Sequence, residues 1–128
     1  MALKYNVQTI PHAAMRYETC GDWITSRAGS IGAVFISDLG NEDYEFLVGI
    51  HEQIEAYLCG KRGISEGKVT AFDVAYENER QEGDDSEPGD DPKAPYFKEH
   101  QFATKIERLI AEELGVDWTA YEKAICNL

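Results

Sequence analysis

The segment Ile50-His51-Glu52-Gln53-Ile54-Glu55-Ala56 holds the residues best suited to chemistry in this 128-residue chain. On a helix, His51 and Glu55 stand four positions apart and project from one face, one turn apart. A single metal ion can then bridge an imidazole nitrogen and a carboxylate oxygen. Glu52 stands about 100° further round the same helix. A metal site needs a third protein donor, and Glu99 and His100 offer one further along the chain. Either closes a site with His51 and Glu55 if the helices carrying them pack antiparallel. His12, the remaining histidine of three, falls in a loop and is the weaker candidate. The structural alternative for His51 is a histidine at the core edge, hydrogen-bonded to a neighbouring acid. For Glu99 it is a carboxylate satisfying the first-turn amides of its own helix. Asp73, beside Phe72, reads as a local hydrogen-bond partner.

The elements that must position these residues read as an α+β fold, an N-terminal strand and a β-hairpin followed by about four helices, in a single domain over 1–128. Leu3, Tyr5 and Val7 alternate with polar residues as in a half-buried strand, which Pro11 ends. Residues 22–26 and 33–37 are β-prone runs separated by a stretch containing Gly29 and Gly32, the pattern of a hairpin. Residues 33–37 are the expected edge to which an extended peptide would add. Asn41 caps a helix predicted to reach about Leu58, with Glu42, Asp43 and Glu45 at its positive end and Leu47, Ile50, Ile54, Tyr57 and Leu58 as its core stripe. Gly60 and Gly63 supply the stop. Ser65 caps a second helix carrying Val69, Phe72 and Tyr76. Residues 79–95 hold seven acids, two bases, three prolines and two glycines, so they form an acidic loop. A third helix starts near Pro95 and turns Phe102, Ala103, Ile106, Leu109 and Ile110 inward until Gly115. Glu99 shares that apolar side, where a carboxylate needs a cation or hydrogen-bond donors. Asp117 caps a last helix with Trp118, Tyr121 and Ile125.

The H-E-x-x-E spacing of His51, Glu52 and Glu55, directly after a hairpin strand, resembles the zincin metallopeptidases. Their H-E-x-x-H helix supplies two histidine ligands and a glutamate base that activates water. More narrowly, the run from Tyr44 to Cys59, with Tyr96-Phe97-Lys98-Glu99-His100, is similar to small proteins of bacteriophages and prophages that carry H-E-x-x-E. The resemblance covers residues 33–60 and, more loosely, 92–110. It implies a minimal zincin-like core in which His51 is the first ligand and Glu52 the general base. Glu55 stands where zincins have their second histidine, and His100, in preference to Glu99, closes the site from a later helix. A carboxylate in place of an imidazole lowers the charge left on the ion and shifts selectivity toward harder metals. The implied cofactor is therefore a divalent ion, zinc first, with manganese or iron as alternatives. The implied reaction is metal-assisted hydrolysis of a peptide or amide.

Composition narrows the remaining classes. With 12 Lys and Arg against 24 Asp and Glu, the formal charge is -12, which leaves no basic surplus for duplex phosphates or an anionic membrane. No run approaches the roughly 20 apolar residues of a membrane span, and the expected location is cytoplasmic, the host cytoplasm if the chain is phage-encoded. Cys20, Cys59 and Cys126 form no C-x-x-C pair and read as reduced thiols. Phosphate-loop, nucleophilic-serine and EF-hand spacings are absent. The same charge supports a reading of a different class: a non-enzymatic acidic protein, a phage-encoded inhibitor or mimic of a negatively charged ligand, whose Asp84, Asp85, Glu87, Asp90 and Asp91 engage a basic protein or peptide partner.

Overall fold

The N-terminal third holds three strands, β1 (Asn6–Ile10), which Pro11 ends, β2 (Gly21–Thr25) and β3 (Ile31–Ser37), in a computed structural model that describes residues 4–26 and 31–128. Leu3, expected in the first strand, and residues 27–30, expected in the hairpin loop, lie outside the described residues. β2 and β3 form the expected antiparallel hairpin, with Trp23 opposite Val34 and Asp22 opposite Phe35. β1 pairs in parallel with the other side of β3, Val7 opposite Val34. The sheet order is therefore β1-β3-β2. This corrects the expectation that residues 33–37 offer a free edge, because β3 is the central strand and shares its backbone groups with both neighbours. The segment between β1 and β2 carries the chain across to the far edge before the hairpin begins, a long-range pairing that no local pattern encodes.

Four helices follow: α1 (Glu42–Lys61), α2 (Glu66–Asn78), α3 (Phe97–Leu114) and α4 (Trp118–Cys126). Asn41, Ser65 and Asp117 cap α1, α2 and α4 by accepting from the amides of Tyr44, Lys68 and Ala120. α1 runs through Gly60 and stops at Arg62, with Gly63 in the left-handed region at φ 71°. The acidic loop contains one short 3-10 turn, Pro88–Asp90. No helix among the described residues is long and apolar enough to cross a membrane.

α1 lies across the sheet, close enough at Gly49 that an added Cβ would stand 2.9 Å from Ile36 Cδ1. α1 and α3 run antiparallel, since His51, Glu55 and Arg62 meet Glu107, His100 and Glu99 in turn. The faces they turn inward keep Leu47 and Ala103 from the apolar stripes read in the sequence but otherwise differ from them. α1 buries Leu47, Val48, His51, Glu55, Ala56 and Cys59, while Tyr57 is 46% exposed. α3 buries Glu99, His100, Ala103, Glu107 and Ala111, leaving Phe102 and Leu109 exposed at 49% and 53%. Burying a large apolar side chain is worth roughly 1.5–3 kcal/mol. A helix pair that forgoes that gain and buries two histidines and several carboxylates instead must satisfy those groups by other means.

Candidate metal centre

The antiparallel seam of α1 and α3 brings three donor atoms together. His51 Nε2 lies 3.1 Å from Glu55 Oε2 and 3.1 Å from His100 Nδ1, and the last two are 2.9 Å apart. All three residues are buried. Nitrogen and oxygen ligands about 2.0–2.2 Å from one tetrahedral zinc ion stand roughly 3.3–3.6 Å from each other. The triangle, 2.9–3.1 Å on its edges, is a few tenths of an ångström tighter and needs only that much opening to seat an ion.

Outer partners fix two of the donors. Glu107 Oε1 accepts from His51 Nδ1 at 2.7 Å, and Tyr121 OH donates to Glu107 Oε2 at 2.5 Å. A proton on Nδ1 leaves the lone pair of Nε2 aimed at the triangle, the carboxylate–histidine pairing common behind metal ligands. Trp23 Nε1 donates to Glu55 Oε1 at 3.1 Å, so Oε2 is the oxygen left for an ion. The ring of His100 is held differently. It meets the His51 ring edge-on, with centroids 4.6 Å apart, and is covered by Gly89, where an added Cβ would stand 2.3 Å from its Cγ. Glu107→Gln should weaken metal binding by about 10–100-fold while leaving the three ligands in place, measured by calorimetric titration of chelator-stripped protein. Unchanged affinity would show that Glu107 does not orient His51.

The charges of the seam are mutually dependent. Burial opposes a charge on His51, but hydrogen bonds to Glu107 and Glu55 outweigh it and hold the imidazole well above its usual 6.5. Burial likewise opposes charge on His100, while Asp90, Glu55 and Glu87 push it up to about 12. Burial works against the Glu55 carboxylate too, yet the imidazoles of His100 and His51 hold it below the usual range. Without an ion, protons stand where a cation would. Groups with raised folded pKa values stabilise fully below their unfolded value and lose that contribution as pH rises through the folded one. The metal-free protein should therefore lose stability as pH rises above about 6.5, the unfolded histidine value. A bound ion replaces those protons. The difference in Tm between loaded and chelator-treated protein should widen between about pH 6.5 and pH 9; a gap that narrows would contradict the arrangement.

Glu52 is partly buried on the same cleft as the triangle, a space of about 320 Å³ bordered also by Gly21, Trp23 and Asp73. Gly21 makes room for it, since a Cβ there would stand 2.7 Å from Glu52 Cγ and Oε1. Burial first, then the Glu55 charge, raises the Glu52 carboxyl well above 4.5. Asp73 Oδ2 accepts from Tyr17 OH at 2.8 Å, and its other oxygen accepts from Tyr96 OH.

Of the sequence candidates, His51, Glu55 and His100 converge, and Glu52 lines their cleft. Glu99 does not join them: its Oε2 accepts from Arg62 Nη1 at 2.7 Å, which is the cation its buried position calls for. His12 is hydrogen-bonded to Ser37 Oγ and Glu18 Oε1 at the cleft border. Sequence reasoning missed Glu107, Tyr121 and Trp23 as supports. Glu107 carried a signal, since it lies on the same helical side as His100, seven residues on. Trp23 and Tyr121 reach the site through packing alone. Comparison with protein-family models, with curated proteins and with solved structures gives no match for this chain.

Proposed function

We propose that this chain is a zincin-like, metal-dependent hydrolase of peptide or amide bonds, holding one divalent ion through His51, Glu55 and His100, with Glu52 as general base. The observation that carries the reading is the buried triangle of donors 2.9–3.1 Å apart, two of them oriented by outer partners. Two imidazoles and one carboxylate are the donor set of catalytic zinc sites with an open position. The bound ion would supply Lewis acidity, and zinc suits the donors first, with manganese or iron as alternatives.

The residues of the chain supply the rest. Glu52 faces the cleft one position after a ligand, where its carboxylate can take a proton from water and return it to a leaving amine. Its raised pKa brings it closer to the operating range of a general base, and a nearby cation would favour its ionised form. Asp73, raised by burial to about 7 against the pull of Tyr96 and Tyr17, borders the same space and adds a second carboxyl to it.

The acidic-inhibitor reading requires the loop acids to face a partner. Asp84, Asp85, Glu87 and Asp90 are exposed as it needs. Glu87 and Asp90 nevertheless turn toward His100, and Asp84 lies near Arg80, so part of the loop charge is directed at the site. The hydrolase reading accounts for that placement. Its test is a screen of mixed peptides by mass spectrometry, using protein stripped with chelator and reloaded with zinc or manganese. Cleavage that appears only on reloading supports it; loaded protein that cleaves nothing would leave the ion a structural role.

A further inference from the structure

The ligand shell of the triangle is uneven. His51 and Glu55 each have their second polar atom engaged, by Glu107 and Trp23. His100 does not: its Nε2 is buried and has no hydrogen-bond partner among the described residues. That nitrogen nevertheless lies 2.9 Å from Glu87 Oε2 and 3.3 Å from Asp90 Oδ1. Asp90 Oδ1 also accepts from Gln101 Nε2 at 3.1 Å, which leaves it a further lone pair. Two carboxylate oxygens thus crowd an imidazole nitrogen without taking a hydrogen bond from it, at separations that suit ligands of one small cation.

We propose that Glu87, Asp90 and His100 Nε2 form a second divalent-cation site, back to back with the first and sharing the His100 ring. The strap that carries both acids lies directly on that ring. Gly89 stands between them, and any side chain there would collide with the imidazole, so the 3-10 turn Pro88–Asp90 is seated where its flanking carboxylates reach Nε2. Two carboxylates and one imidazole form a harder donor set than the inner triangle, suited to zinc or manganese, and their exposed sides leave room for water ligands.

Proton accounting sets how the sites communicate. A neutral imidazole carries one proton, and an ion on Nδ1 confines it to Nε2. An ion at the outer site must release that proton to solvent, leaving an imidazolate shared between two cations. The first cation makes that release easier, while the like charge of the second opposes it. The outer site therefore fills second and more weakly. In a chain that lacks the inner ion it fills through the free nitrogen alone.

The test is a zinc titration of chelator-stripped full-length protein, followed by calorimetry and by equilibrium dialysis at pH 8. Wild type should bind two equivalents. Glu87→Gln with Asp90→Asn should bind one, whereas Asp84→Asn with Asp85→Asn, the same charge change on the same loop, should still bind two. Because all four acids are exposed, circular dichroism should report an unchanged fold. A single equivalent in wild type, or a second equivalent that survives Glu87→Gln with Asp90→Asn, would overturn the proposal. If one equivalent is found and His51→Ala removes it, the outer site is absent and the inner one stands. If the one equivalent survives His51→Ala and is lost with the two loop acids, the outer site stands and the inner reading falls.

Discussion

Glu52→Gln is expected to leave the ion bound and to lower metal-dependent hydrolysis by about 10²–10⁴-fold, the usual contribution of a positioned proton-transfer group. Glutamine keeps the length and shape that fit beside Gly21, so the cleft is preserved while the proton acceptor is removed. It also removes a carboxyl whose ionisation is opposed by burial and by Glu55, so the variant should be at least as stable as the parent. The measurement is kcat/KM on a cleaved peptide, beside metal content per chain. Equal rates with equal metal would remove Glu52 from the chemistry. Gly21→Ala offers an independent approach to the same carboxylate, since the new methyl must displace both the Glu52 side chain at Cγ and Oε1 and the Val48 side chain at Cγ1. It should reduce the rate with the ligands untouched.

His51→Ala should have the largest effect on both metal binding and stability. It deletes one of three donors, a loss greater than the 10–100-fold that follows from disturbing an outer partner. It also strips Glu107 and Glu55 of their shared imidazole while both remain buried. Breaking a buried pair from one side costs about 3–5 kcal/mol, because the remaining charge keeps its desolvation penalty. Tyr121 and Trp23 still donate to the two carboxylates, which places the expected cost at the lower end of that range. Urea unfolding with and without chelator separates the contributions. Wild type should be destabilised by chelator, by about 2.7 kcal/mol where free metal had stood at 100 times its Kd. His51→Ala should be less stable throughout and much less sensitive to chelator, since only the weaker outer group of Glu87, Asp90 and His100 remains to it. His12→Ala, whose imidazole pairs with Ser37 and Glu18, should keep its metal. Equal sensitivity to chelator in His51→Ala and wild type would contradict the assignment.

The parts of this molecule legible in its sequence are those with local causes. Asn41, Ser65 and Asp117 mark helix starts because each side chain accepts a first-turn amide. The hairpin follows from two β-prone runs around glycines, and the spacing of His51 and Glu55 follows from the helical repeat. Inward faces were harder to read, for one physical reason. The apolar side of a helix is ordinarily its buried side, and α1 and α3 invert this over part of their seam, while Leu47 and Ala103 stay buried as their spacing predicts. His51, Glu55, His100 and Glu107 occupy the inside, while Tyr57, Phe102 and Leu109 are left outside. The same inversion marks the site, because buried ionisable groups persist only where they are mutually satisfied. Glu99 shows the complementary case: its buried carboxylate is explained by Arg62, 37 residues away in sequence. The central position of β3 and the reach of Trp23 to Glu55 depend on contacts across the chain, which no local spacing announces.

The central claim is that the triangle of His51, Glu55 and His100 holds a divalent ion. Its most direct test is the metal content of untagged protein purified without chelator, measured by elemental mass spectrometry beside His51→Ala. The account predicts near-stoichiometric or greater zinc, manganese or iron in the wild-type chain, and loss of the tightly held equivalent in the variant. A wild-type protein that is empty and takes up none of these ions when they are added would contradict it, and would leave His51 a buried histidine held by Glu107.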